Sequence, residues 1–208
     1  MAFVPFLKSR IPERKGKVSF SFLKRSHFYL LFVVCFFNTA CEFIPLVFFP
    51  TYGQQLLDIS LADGATILSF YNGFNILGRI AMGFIGDYMG TLNALILCCW
   101  LIVISLFSWL AASSLAALCV VGAAVGFSFG GLWGLFPSVL SEIFALDGSL
   151  ITLIAVMYTL VGVGGFACPS VTGLIQEQFG LKAIVIFAGI LAILAALPST
   201  IVKFIPSS

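Results

Sequence analysis

Two charged side chains stand inside long apolar stretches of this sequence, Glu42 and Arg79. A charge at the centre of a membrane helix costs about 2.5–3.5 kcal/mol on insertion scales, which makes each of them a functional-site hypothesis from the outset. Arginine suits a carboxylate, because its planar fork makes two parallel hydrogen bonds. A carboxyl in the position of Glu42 could carry a proton. Asn38 lies one helical turn before Glu42, on the same face. Asn72 and Asn75 lie two turns and one turn before Arg79, and Trp133 stands in a separate apolar run. The substrate or gating candidates are therefore Arg79, Asn38, Asn72, Asn75 and Trp133, and the proton-coupling candidate is Glu42.

Each of these residues also has a plainer reading. Arg79 lies about six residues, or roughly 9 Å, from the end of its apolar run, so it could snorkel to the interface or anchor a loop. Glu42 lies 14 residues into its own run, about 21 Å deep, and could be a cavity-facing or interfacial carboxylate with no coupling role. With the two helices antiparallel, the depths of Glu42 and Arg79 differ by about 12 Å, which argues against a direct pair. Arg79, Gly83 and Asp87 recur every four residues and share a helix face, and Gly83 would let another helix approach closely. Gly122, Gly126, Gly130 and Gly134 repeat the same spacing and form a groove for close helix packing. The helix that carries them is either a tight packing element alone or a gating helix that bends near Gly131 and Pro137.

The elements that must hold these residues follow from composition. Of 208 residues, 61% are hydrophobic and only 9% are charged. A soluble domain carries about 25% charged residues, so this chain cannot furnish a polar shell. That excludes a water-soluble enzyme, a disordered tail, a disulfide-rich secreted domain and a nucleic-acid binder, and leaves an all-α membrane protein. About 20 apolar residues cross a bilayer, and six such runs are present, at about 28–49, 64–85, 94–110, 115–140, 150–169 and 182–202. The runs are apolar throughout, without the alternation of a lipid-facing strand. Short polar connections are expected between them, including 51–63, 87–93 and 171–181.

Seven of the ten Lys and Arg residues lie in the first 25 positions, a basic approach segment over residues 1–27 ahead of the six-helix domain at 28–208. Positive charge stays on the cytoplasmic side, so the N-terminus is expected there, and an even span count returns the C-terminus to the same side. The six cysteines all fall within apolar runs and read as reduced packing residues, not as a disulfide framework or a zinc site. His27 has no Cys or Asp at ligand spacing and reads as an interfacial residue. No Walker loop is present, so neither a nucleotide, a metal nor any other cofactor is expected.

Six helices behind a basic segment look like half of a twelve-helix transporter. The stretch Arg10-Ile11-Pro12-Glu13-Arg14-Lys15 resembles the one that precedes the seventh helix in fungal monocarboxylate-transporter-like proteins of the major facilitator superfamily. Further similarities are Phe49-Pro50-Thr51-Tyr52-Gly53, then Asn72-Gly73, Gly78-Arg79, Gly83, Asp87, Gly90 and Asn93, then Gly130-Gly131, Leu135-Phe136-Pro137, Pro169 and Gly173. The resemblance covers nearly all of this chain but only the C-terminal half of such proteins. It implies one half of the facilitator fold, and secondary transport of small carboxylates or other small organic solutes by alternating access. It further implies that the first helix lines a central cavity. Gly78, Arg79, Gly83, Asp87 and Gly90 would form the second-half copy of the cytoplasmic loop motif, with Asp87 facing the N-terminal dipole of a helix in the missing half.

Two departures bear on coupling. Animal members often carry an Asp one turn before the arginine of the second span, where this chain has Asn75. Fungal relatives often carry an Arg before the fifth span, whereas Gly148-Ser149-Leu150-Ile151-Thr152 has none. The implied partners are the lipid bilayer, a small solute with a carboxylate, protons, and an N-terminal six-helix half or a second copy of the chain. The implied membrane is the plasma or vacuolar membrane. The rival readings are a truncated, non-transporting interaction module and a half-size carrier that works as a dimer.

Overall fold

The computed structural model describes residues 21–144 and 150–205. The stretch Arg10 to Lys15, most of the basic segment, and Gly148-Ser149 lie outside the described residues. The rest is helical: α1 Ser26–Leu57, α2 Leu61–Met89, α3 Thr91–Ser108, α4 Leu115–Phe144, α5 Leu150–Phe179 and α6 Leu181–Val202. Short 3-10 turns at Ser21–Lys24 and Trp109–Ala111 precede α1 and follow α3. No strand occurs among the described residues.

The helices outrun the apolar segments that announce them. The expected connection at 51–63 shrinks to three residues between α1 and α2, and that at 171–181 shrinks to Gly180. The expected loop at 87–93 shrinks to Gly90 alone. Polar residues there are helix ends projecting past the hydrocarbon layer, and local chemistry stops each helix. Asp58 ends α1 in the left-handed region at φ 53°. Ser60 and Asp63 then form a reciprocal capping box: the Ser60 hydroxyl accepts from the Asp63 N–H at 3.2 Å, and the Asp63 carboxylate accepts from the Ser60 N–H at 3.2 Å. Gly90 turns the chain at φ 91°, a conformation that side-chain-bearing residues rarely adopt.

Four segments are long and apolar enough to cross a bilayer: Ser26–Leu57, Thr91–Ala111, Leu115–Phe144 and Leu181–Val202. In α5 the described apolar stretch is the shorter Leu150–Thr159. α2 falls outside the set because polar side chains such as Asn72, Asn75 and Arg79 dilute its apolar run. Its 29 residues, about 43 Å, still suffice to span the layer.

The buried apolar cluster draws on all six helices and most heavily on α1, α3, α4 and α6. Trp109 is fully buried, with its ring centroid 4.3 Å from Phe49 and 5.3 Å from Tyr52. All six cysteines are free and buried. His27, expected at the interface, is buried in the first turn of α1.

The most extensive interface joins α2 to α4. Gly122, Gly126, Gly130 and Gly134 stand opposite Ile67, Tyr71, Asn75 and Arg79 in turn, so the two helices run in the same direction in step. A Cβ on Gly126 would collide with the Tyr71 carbonyl oxygen, and one on Gly130 with that of Asn75. Gly78 on α2 meets the Phe127 carbonyl of α4 in the same way. α4 runs as one helix through Gly131 and Pro137.

Candidate functional site

The seam fixes the depth at which α2 and α4 present their side chains, and α1 and α5 close the remaining sides. The four helices line an open cavity of about 350 Å³, formed by Thr39, Glu42 and Phe43 of α1, Arg79 of α2, Trp133 of α4, and Tyr158 and Val161 of α5. This lies at the small end of the roughly 300–1,000 Å³ typical of ligand sites.

Glu42 is held from two directions. The Trp133 indole N–H donates to its Oε2 at 2.7 Å, and the Tyr71 hydroxyl donates to its Oε1 at 3.2 Å. One carboxyl thus ties α1 to both members of the seam. Arg79 donates from Nε to Asn75 Oδ1 at 3.3 Å, and its two terminal nitrogens make no hydrogen bond to any described residue. Glu42 and Arg79 form no ion pair among the described residues, yet both line the one cavity. Both side chains therefore reach one space although their backbone depths differ by about 12 Å. Tyr158 packs its ring 6.0 Å from Trp133 and 6.4 Å from Phe136, completing an aromatic wall.

Other sequence candidates lie elsewhere. Asn38 is fully buried and faces α3: its amide donates to the Val34 carbonyl at 2.9 Å and to Cys99 Sγ at 3.7 Å. Sharing a helix face with Glu42 does not bring it to the cavity, because the 40° drift per four residues carries it toward α3. Asn72 is exposed and donates back to the Leu68 carbonyl at 2.9 Å. Asn75 contributes by holding Arg79. Gly83 faces open space, with nothing within 4 Å of where a Cβ would stand. Asp87 is exposed and bonds to no described residue. Instead, Glu142 at the end of α4 accepts from Thr91 in the first turn of α3. Arg25 joins the same end of the bundle, donating to the Ile143 carbonyl at 3.1 Å and lying 5.8 Å over the Phe144 ring.

A larger cavity of about 790 Å³ opens between α2, α3 and α4, lined by residues such as Phe70, Phe74, Leu101 and Phe127. Its walls are almost wholly apolar, and the serine hydroxyls on it, Ser105 and Ser128, bond back to their own helices. Size alone therefore nominates it poorly, since solute recognition needs a few convergent polar groups.

The sequence profile of the Major Facilitator Superfamily matches residues 4–162. The chain belongs to the major facilitator superfamily. Two curated fungal relatives agree with this. One is the aspyridones efflux protein of Emericella nidulans, 23% identical over 89% of this chain and 40% of its own length. The other is an MFS-type transporter of Gibberella moniliformis, 27% identical over 74% of this chain and 37% of its own length. The chain therefore spans about two fifths of the length of these relatives. The fold is that of a crystal structure of the POT family transporter PepTSo, with a TM-score of 0.77 at 14% identity over 88% of this chain and 39% of that one. Facilitator membership and the apolar helices make the chain an integral membrane protein of a transporter family, not an enzyme family.

Proposed function

We propose that this chain supplies the C-terminal six-helix half of a secondary transporter, which moves a small organic solute bearing a carboxylate across the membrane by alternating access. The observation that carries this reading is the cavity in which the unoccupied fork of Arg79 faces the same space as Glu42, between helices otherwise apolar. Facilitator cavities form between two halves, and the open side of α2, where Asn72 and Gly73 are exposed and nothing stands against Gly83, is where the other half would close the cavity. That the Emericella nidulans relative is an efflux protein supports export as the direction.

Reconstitution in liposomes tests the half-transporter reading. The purified chain alone is expected to give no saturable uptake. Saturable, solute-specific uptake by a proven monomer would refute the missing half, and uptake by a dimer would replace it with a half-size carrier. In the assembled transporter, Arg79→Lys keeps the charge and loses the fork. It should weaken carboxylate binding by about 1–3 kcal/mol, read by competition in a conformationally locked form. Unchanged affinity would remove Arg79 from the solute site.

Both termini are assigned to the cytoplasm from the basic residues that precede α1 and the even number of spans, and the membrane is taken as the plasma or vacuolar membrane. Cysteine labelling of either terminus from outside intact cells would overturn the assignment.

A further inference from the structure

We propose that the cavity between Glu42 and Arg79 selects a zwitterion, a small solute with an ammonium group as well as a carboxylate. This rests on the reading of that cavity as the solute site. Both charges line one space of about 350 Å³, and neither neutralises the other through an ion pair. The groups that hold Glu42 are neutral donors, the Trp133 indole and the Tyr71 hydroxyl. They fix the carboxylate and stabilise its charge without cancelling it. They occupy one position on each oxygen, and a carboxylate offers about four acceptor sites, so an ammonium can still be received.

Charge matching then discriminates among solutes, because a like charge set beside Glu42, or a fork left unmatched on Arg79, lowers affinity. A monoanion on Arg79 places two carboxylates beside one cation. A monocation on Glu42 leaves the arginine fork unmatched. A zwitterion satisfies both ends and leaves the net charge of the site unchanged. The indole meets Glu42 through its N–H edge, and Tyr158 packs 6.0 Å from Trp133, so the carboxylate end of the cavity is bounded by aromatic rings.

The competing arrangement with the same net charge is a monoanion on Arg79 with a proton on Glu42. Three probes on one frame separate the two: L-phenylalanine, 3-phenylpropionate, which lacks the amine, and 2-phenylethylamine, which lacks the carboxylate. Both charged groups and the donors that hold Glu42 lie in this chain, and the other half is proposed only to cover their open side, so binding is measured by calorimetry on the full chain in lipid nanodiscs at neutral pH. L-phenylalanine is expected to bind at least tenfold more tightly than either single-charge probe. Glu42→Gln should reduce its affinity to that of 3-phenylpropionate while leaving 3-phenylpropionate unchanged or tighter. Arg79→Gln should reduce L-phenylalanine to the level of 2-phenylethylamine, with helix content by circular dichroism confirming that each variant folds. Preference for 3-phenylpropionate over L-phenylalanine, or an unchanged L-phenylalanine affinity in Glu42→Gln, would overturn the zwitterion and leave the solute site standing. Binding of none of the three to the folded chain would overturn both.

Discussion

Gly126→Ala and Gly130→Ala are expected to be among the most damaging single substitutions in the chain, each costing about 3 kcal/mol, the upper end of the usual range for overpacking. The added methyl would meet a backbone carbonyl oxygen, that of Tyr71 or of Asn75, and not the movable end of a side chain. Relief requires the whole of α2 to move away from α4. That movement also shifts Tyr71, Asn75 and Arg79, which stand opposite Gly126, Gly130 and Gly134, so damage to the seam is damage to the site. Gly83→Ala and Gly162→Ala are the controls. Nothing lies within 4 Å of either position, and both sit inside helices. Alanine there should stabilise the isolated chain by about 0.5–1 kcal/mol through helix propensity. Thermal unfolding in detergent, followed by circular dichroism, reads both signs. Equal melting of the seam variants and the controls would mean that α2 and α4 do not touch through their backbones.

The seam also marks where the sequence stops being readable. The four-residue rhythm of Gly122, Gly126, Gly130 and Gly134 announces a face for close packing, but not which helix fills it. The register against Ile67, Tyr71, Asn75 and Arg79 belongs to tertiary packing. The same boundary runs through the cavity. Glu42 and Arg79 stand out because a charge inside an apolar run is costly, and Trp133 because its indole carries a polar N–H into the glycine-rich run that forms α4. Tyr71 and Tyr158 carry no such mark. An aromatic ring in an apolar run looks the same whether it faces lipid, core or cavity, and only contacts across helices separate these cases. Asn38 shows the converse: its spacing to Glu42 is right, yet the drift of the helix turns its amide to Cys99. Helix ends were hidden for a further reason. Hydropathy reports the thickness of the bilayer, whereas caps such as Ser60 with Asp63 and turns such as Gly90 decide where a helix stops.

Trp133→Phe and Tyr71→Phe are expected to be strongly context-dependent, and Glu42 is the context. Each removes one donor from a carboxylate held inside the membrane bundle. Losing a hydrogen bond to a charged group costs about 1.5–3 kcal/mol, because the remaining partner keeps its desolvation penalty. The pair together should therefore cost roughly 3–6 kcal/mol if the two losses add, and more if the carboxylate is left without any donor. In a Glu42→Gln background the acceptor is neutral, and each loss should fall to about 0.5–1.5 kcal/mol, the range for an uncharged bond. Loss of indole packing against Phe136 and Tyr158 is common to both backgrounds and cancels in the comparison. A double-mutant cycle on thermal unfolding measures the difference, expected at about 1 kcal/mol or more per donor. A cycle that closes at zero would mean that Trp133 and Tyr71 merely pack near Glu42. A large coupling would mean that α1, α2 and α4 are joined through one carboxylate, so that any solute group binding Glu42 acts on all three helices at once.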